Sequence, residues 1–221
     1  MTPPIGRDKT KSRTHVASLE KHIYLASRSA RRRDLLKQMG VNFEVLLLRE
    51  GAGRDADFDE SQIGNELPRD YVVRVARLKA DAGWLRLEQR RLMRHPVLAG
   101  DTTVAFKDTI LAKPADREDA VAMLKQLSGT THQVYTAVAV KFHDSLQEAL
   151  SVTEVRLREL SDDEIRRYVA SGDPMDKAGA YGIQGKASMF IESINGSYSG
   201  VVGLPMFETS RLLTHLGFQL L

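Results

Sequence analysis

Two long apolar stretches near the middle of the chain, residues 133–142 and 149–157, restrict the fold more than any other feature. They flank the polar turn His143-Asp-Ser-Leu146, and the alternation Thr153, Val155, Leu157 fits a strand with one covered face. Two such runs joined so briefly predict an antiparallel pair. Around them, strand and helix patterns alternate. A buried-strand run at 22–26 leads into a helix capped by Ser29 and ended by Gly40, and a second strand covers 42–48. A polar loop over 49–67 precedes a long helix, about 69–92, with Val72, Val75, Leu78, Ala82 and Leu85 at helical spacing. Short strands at 97–100 and 103–106 follow, then a turn near Lys107-Asp108 and a helix over 117–127. Ser161-Asp-Asp-Glu164 reads as a capping box opening a helix to Ala170. A strand near 189–194 and a helix after Pro205 complete the chain. This order implies an α/β or α+β fold, a mixed sheet flanked by helices.

A chain of 221 residues is one large domain or two small lobes. Residues 1–20 are polar with Pro3-Pro4, and they are expected to form a mobile basic extension ahead of a folded unit over 21–221. Charge bears on partners. The chain carries a net +3, and so do residues 1–21 alone, with five Lys/Arg against two Asp/Glu, so the rest is formally neutral. That neutrality argues against a nucleic-acid binder, although the extension leaves contact with RNA or acidic lipid open. There is no cysteine, which excludes a disulfide framework and a thiolate nucleophile and fits a cytoplasmic location. The six histidines are scattered with no i,i+4 pair, which removes a zinc-hydrolase reading. No run reaches the length of a membrane span.

Four segments combine small residues with groups suited to phosphate or metal. In the first, Ser27-Arg-Ser-Ala-Arg-Arg32, a strand end meets a helix start, where backbone N–H groups and the helix dipole attract anions. Ser27 and Ser29 can donate to phosphate oxygens, and Arg31 and Arg32 offer planar forks, although a capping serine and a solvated arginine face read the same way. The second, Gly100-Asp-Thr-Thr103, places Asp101 after an apolar strand run, where it can hold a cation, orient a water or simply close a turn. The third is Asp176-Lys-Ala-Gly-Ala-Tyr-Gly-Ile-Gln-Gly185, in which Gln184 sits between glycines that let backbone approach a flat ligand. The fourth is Gly196-Ser-Tyr-Ser-Gly-Val-Val-Gly-Leu-Pro205. Lys113, Lys177 and, on the long helix, Lys79 are candidate point charges for a polyphosphate or ordinary solvated lysines.

Taken in order, these motifs resemble the Maf family of nucleoside triphosphate pyrophosphatases, the septum-formation-inhibitor-like proteins, over about residues 22–217. The resemblance implies a Maf/ITPase-like fold, a mixed sheet whose two lobes flank a cleft, often as a homodimer. It implies cleavage of a nucleoside triphosphate between the α and β phosphates, dependent on Mg²⁺ or Mn²⁺. It assigns the proton acceptor to Asp101, nucleotide choice to Arg31, Thr102 and Gln184, and triphosphate binding to Ser27, Ser29, Arg32, Lys79, Lys113 and Lys177. Gln184 favours the branch acting on dTTP and UTP, because an amide both donates and accepts toward the O4 and N3–H edge of thymine or uracil. A sister branch acting on 7-methyl-GTP tends to carry Glu there. The family association extends to clearing non-standard nucleotides and to septation, which keeps a non-catalytic nucleotide-binding regulator as the alternative. Ala30 stands where the family usually has Pro. The acidic residue expected after the second strand falls in the 49–67 loop, with Glu50 as the candidate metal ligand beside Asp101, and Asp55, Asp57 and Asp59 as alternatives.

Overall fold

Seven strands form one mixed sheet in the computed structural model, which describes residues 21–51 and 56–220. The elements run β1 (His22–Leu25), α1 (Ala30–Gln38), β2 (Asn42–Val45), α2 (Pro68–Gln89), β3 (Val97–Phe106), β4 (Thr109–Leu111), α3 (Arg117–Leu127) and β5 (Thr131–Phe142). They continue with β6 (Ser145–Leu157), α4 (Asp162–Ala170), β7 (Ile191–Asn195), α5 (Tyr198–Val202) and α6 (Met206–His215). Strand order is β2-β1-β3-β5-β6-β7, with β4 pairing β3 off this path. The basic extension lies outside the described residues.

The sheet changes character at β3. On one side β1 pairs in parallel with both β2 and β3, and on the other β3, β5, β6 and β7 run antiparallel. The hairpin expected from the central apolar stretches is present, but its turn is only His143-Asp144, and β6 starts at Ser145 rather than four residues later. Polar Gln147 and Glu148 are admitted because they pair with Val140 and Ala139 across the ladder, which satisfies their backbone whatever their side chains. The expected break between two short strands at 100–103 is likewise absent. β3 runs unbroken through Asp101 because Val97 to Ala105 are matched one for one along β5.

Alternation along β3 sets up two faces. Val97 and Ala99 join Val72, Ala76, Ala80 and Trp84 of α2, whereas Leu98 joins Leu35 and Leu36 of α1 and Leu212 and Leu213 of α6. Farther along, Val104 belongs to a separate core with Leu124 and Leu127 of α3, Ile165 and Tyr168 of α4, and Val155 of β6. The α4 capping box forms as expected, with Ser161 and Glu164 bonding reciprocally.

The α2 helix lies unusually close to the sheet, and Gly83 is the reason. A Cβ built there would stand 2.7 Å from Val97 Cγ1 and 3.1 Å from Ala26 Cβ. Glycine costs roughly 1 kcal/mol of helix propensity relative to alanine, so contact distance outweighs propensity here. Gly83→Ala is therefore expected to destabilise the chain by about 1–3 kcal/mol despite the better helix former. Urea denaturation checks this, and an unchanged midpoint would show that the helix shifts freely.

Candidate functional site

Both β1 and β4 pair with the edge of β3 opposite β5, but at different heights. β1 meets Val97 and Leu98, β4 meets Val104 to Phe106, and the stretch between them is left open on that side. Ligand sites of open α/β sheets form where strand ends diverge. This notch is such a place, and Asp101 lies in it.

On the α2 face, Asp101 is nearly buried, with 9 % of its surface exposed. Its Oδ1 accepts from Lys79 Nζ at 2.7 Å, and the same ammonium lies 2.7 Å from Glu60 Oε2. Lys79 reaches them because it projects from the polar margin of α2, two turns beyond Tyr71. Glu50 hydrogen-bonds Glu60. That bond, then burial, then the Glu60 charge hold the Glu50 carboxyl above the ordinary carboxylate range. Burial disfavours the Glu60 anion, but the Glu50 hydrogen bond and the charges of Lys79 and Lys113 outweigh it and keep Glu60 below that range. The two neighbouring carboxyls are thus pushed in opposite directions. Burial, followed by the charges of Asp101 and Glu60, keeps the Tyr71 phenol protonated. Glu50, Glu60 and Tyr71, though not Asp101 or Lys79 themselves, line a cleft of about 320 Å³ together with Asp59, Ser61 and Ala112.

On the opposite face, Arg32 forms a hub. Its Nε donates to the Gly203 carbonyl at 2.7 Å, one terminal nitrogen to Ser27 Oγ at 3.3 Å and the other to Thr102 Oγ1 at 3.1 Å. Thr136 Oγ1 lies 3.0 Å from Thr102 Oγ1 and donates to the Gly200 carbonyl at 2.7 Å. One guanidinium therefore joins the first, second and fourth sequence segments. Burial works against its charge, partly offset by Asp101. Ser29 caps α1 by accepting from Arg32 N at 3.3 Å, and Ser27 Oγ accepts from Ser29 N at 3.2 Å. Both serine oxygens act as acceptors within the turn, which leaves their O–H groups for a ligand.

The remaining candidates take differing positions. Arg31 is partly exposed at the α1 start, and its charge acts on Asp176, which places the third segment beside the first. Gln184 is exposed in a turn closed by Gly185 N donating to Gly182 O at 3.1 Å. Lys113 is exposed after β4, and its charge acts on Glu50 and Glu60. Lys177 is held by its own loop, with Nζ 3.2 Å from Asp173 Oδ1 and 2.6 Å from Asp176 Oδ1. Of the acidic alternatives, Asp57 is engaged by Arg49 N at 2.8 Å and Arg86 at 3.0 Å, and Asp59 accepts from Ser61. Asp55 lies outside the described residues.

Glu60 is the acid that sequence reasoning missed. The signal for it was Phe58, an aromatic residue in a loop rich in charged and polar groups. Phe58 packs against the α2 core beneath the Lys79 ammonium and so delivers Glu60 to Lys79. No group of three or more His, Asp or Glu arranged to hold a metal occurs among the described residues. Glu50 and Glu60 still offer oxygen donors of the kind a hard divalent cation takes. Mg²⁺ typically takes only one or two carboxylates, with water and phosphate completing its shell.

An acidic notch thus lies on one sheet face and a serine–arginine turn on the other. The chain belongs to the Maf-like protein family, whose profile matches residues 22–216. It is 58 % identical over 197 residues to a protein of Nitrosomonas europaea named dTTP/UTP pyrophosphatase, covering 89 % of this chain and 95 % of that one. A protein of the same name from Aromatoleum aromaticum is 54 % identical over 203 residues, covering 91 % and 98 %. A third, from Dechloromonas aromatica, is 51 % identical over 197 residues, covering 89 % and 98 %. Among solved structures, the Staphylococcus aureus Ham1 protein aligns over 89 % of this chain and 97 % of its own at 14 % identity, with a TM-score of 0.44.

Arg32→Lys tests the hub. A lysine keeps the charge but cannot reach three acceptors with a rigid fork. The expected loss is about 1–3 kcal/mol of stability, read by thermal or urea unfolding. A variant as stable as the wild type would show that the three bonds are interchangeable with one.

Proposed function

We propose that the chain hydrolyses dTTP and UTP between the α and β phosphates, releasing the monophosphate and pyrophosphate. The observation that carries this reading is the Lys79 ammonium held between Asp101 and Glu60 in the notch beside a serine–arginine helix start. The names of the relatives support the substrate choice. The α1 N-terminus, the hydroxyls of Ser27 and Ser29 and the Arg31 fork receive phosphate oxygens. Lys113 adds charge from the end of β4. Arg32 acts by holding Ser27 and Thr102 in place.

Asp101 directs and deprotonates the attacking water. Lys79 occupies Oδ1, which leaves Oδ2 to accept the water proton. Glu50 and Glu60 would hold a Mg²⁺ or Mn²⁺ ion, which when bound would neutralise charge gathering on the departing pyrophosphate. Gln184, with Arg31 and Thr102, reads the base, its amide matching both the O4 acceptor and the N3–H donor of thymine or uracil. No helix among the described residues is long and apolar enough to cross a membrane.

The test is a product assay with dTTP, UTP, 7-methyl-GTP and ATP that resolves pyrophosphate from orthophosphate. Pyrophosphate from dTTP and UTP is expected. Turnover confined to 7-methyl-GTP would overturn the role given to Gln184, and turnover of nothing would favour a binding protein. In Asp101→Asn, kcat is expected to fall by about 10³-fold or more with little change in Tm. Near-normal turnover would remove Asp101 from the mechanism.

The raised Glu50 carboxyl gives a second check. A cation beside it competes with its proton, so cation affinity is expected to fall as pH drops through the raised Glu50 range. Titrating Mg²⁺ alone in buffers of different ionisation enthalpy should show proton release that is absent in Glu50→Gln. Equal release in both proteins would place the cation elsewhere.

A further inference from the structure

The segment carrying Gln184 has no sheet or α-helix to hold it. Between α4 and β7 the chain makes three short 3₁₀ turns, at 173–176, 178–180 and 186–190. Three of its residues adopt left-handed backbone, Gly172 at φ +77°, Gly179 at φ +68° and Ala180 at φ +60°. For Ala180 this conformation costs on the order of 1 kcal/mol and persists only where surrounding contacts enforce it. Gly179 N donates to the Ala112 carbonyl at 3.2 Å, which ties the segment to the strand end bearing Lys113. Tyr168 donates to Asp173 Oδ2 at 3.0 Å at its start. Ile183, next to Gln184, packs against the α1–α6 core, and Tyr181, three residues before Gln184, is the polar anchor of the turn.

Tyr181 enters the α3–α4 core with only 5 % of its surface exposed. Its hydroxyl lies 2.6 Å from Nε2 of His132 on β5, and the two rings meet edge to face at 5.3 Å between centroids. His132 is fully buried opposite Val155, and burial lowers its pKa to about 4, so it is neutral at ordinary pH. Its Nδ1 has no hydrogen-bond partner. Such a pair is a poor source of stability. An orphaned buried polar atom costs roughly 1–3 kcal/mol, and an apolar pair of the same shape would avoid that cost. What the polar pair supplies is direction, because one hydrogen bond and one ring angle fix where Tyr181 sits.

We propose that His132 and Tyr181 are positioning residues for base recognition, holding the 181–185 turn so that Gln184 meets the pyrimidine edge in one orientation. This rests on the reading of the cleft as a dTTP and UTP site. Gln184 makes the contact, and the pair acts through it. Loosening the pair should weaken nucleotide binding and base choice while leaving the Asp101 chemistry largely intact.

The decisive comparison uses Tyr181→Phe and the double variant Tyr181→Phe/His132→Leu, which removes both polar partners together. For the double variant the expected Tm equals or exceeds the wild-type value, KM for dTTP and UTP rises about 5–20-fold, kcat stays within about two-fold, and preference over GTP shrinks. Tyr181→Phe alone should show the same KM change with a lower Tm, since it strands His132. A double variant with wild-type KM and preference overturns the proposal, as does a KM that follows Tm across the two variants. If the wild-type chain turns over neither nucleotide, the reaction assignment falls separately. Calorimetric binding of dTTP then decides the pair, with an unchanged Kd in the double variant, or no binding by the wild type, counting against it.

Discussion

The ladder between β3 and β5 is the interaction on which the rest depends. Nine consecutive residues of β3, Val97 to Ala105, find partners along β5, so β3 needs no continuous neighbour on its other edge. That freedom lets β1 end after Leu98 and β4 begin only at Val104. Backbone groups of β3 that point into the opening, away from β5, have no strand partner among the described residues. Asp101 pairs with Ala137 along the ladder, and its carboxylate meets Lys79 on the α2 face.

The two faces of β3 then divide the labour. Odd positions look toward α2, so Asp101 meets Lys79. Even positions look toward α1 and α6, so Thr102 meets Arg32. Neighbouring residues in the chain thus serve opposite faces of the sheet, the acidic notch and the serine–arginine turn. Arg32 joins the hydroxyl-bearing turn to the Gly196–Pro205 segment, two stretches of sequence 171 residues apart at its Gly203 bond.

Much of this could be read from sequence because it is local. Strand and helix patterns, the Ser29 and Ser161 caps and the central hairpin arise from residues close together in the chain, and the segments flanking the cleft declare themselves through glycine and hydroxyl content. What escaped depends on distant pairing. Nothing near Asp101 signals that β3 continues through it, since that follows from β5. Glu60 hides among neighbouring acids, and only Phe58 docking on α2 singles it out. Arg31 and Arg32 look alike in the motif, yet one is turned toward Asp176 and the other is bound on three sides by protein. Lys177 looked like a free charge and instead tethers its own loop to Asp173 and Asp176.

The close approach of α2 to the sheet has a consequence for how this chain can change. Gly83 and Lys79 lie one helical turn apart on the same rigid rod, one pressed onto Val97 and the other holding Asp101. Any repacking that lifts the helix by a few tenths of an ångström also lifts the ammonium away from the carboxylate. Core volume and reactive geometry are therefore set by one dimension, the spacing between helix and sheet. Substitutions at Val97 or Ala26 would act as remote adjustments of the active cleft, and losses at Gly83 would be recovered only by trimming the residues it faces.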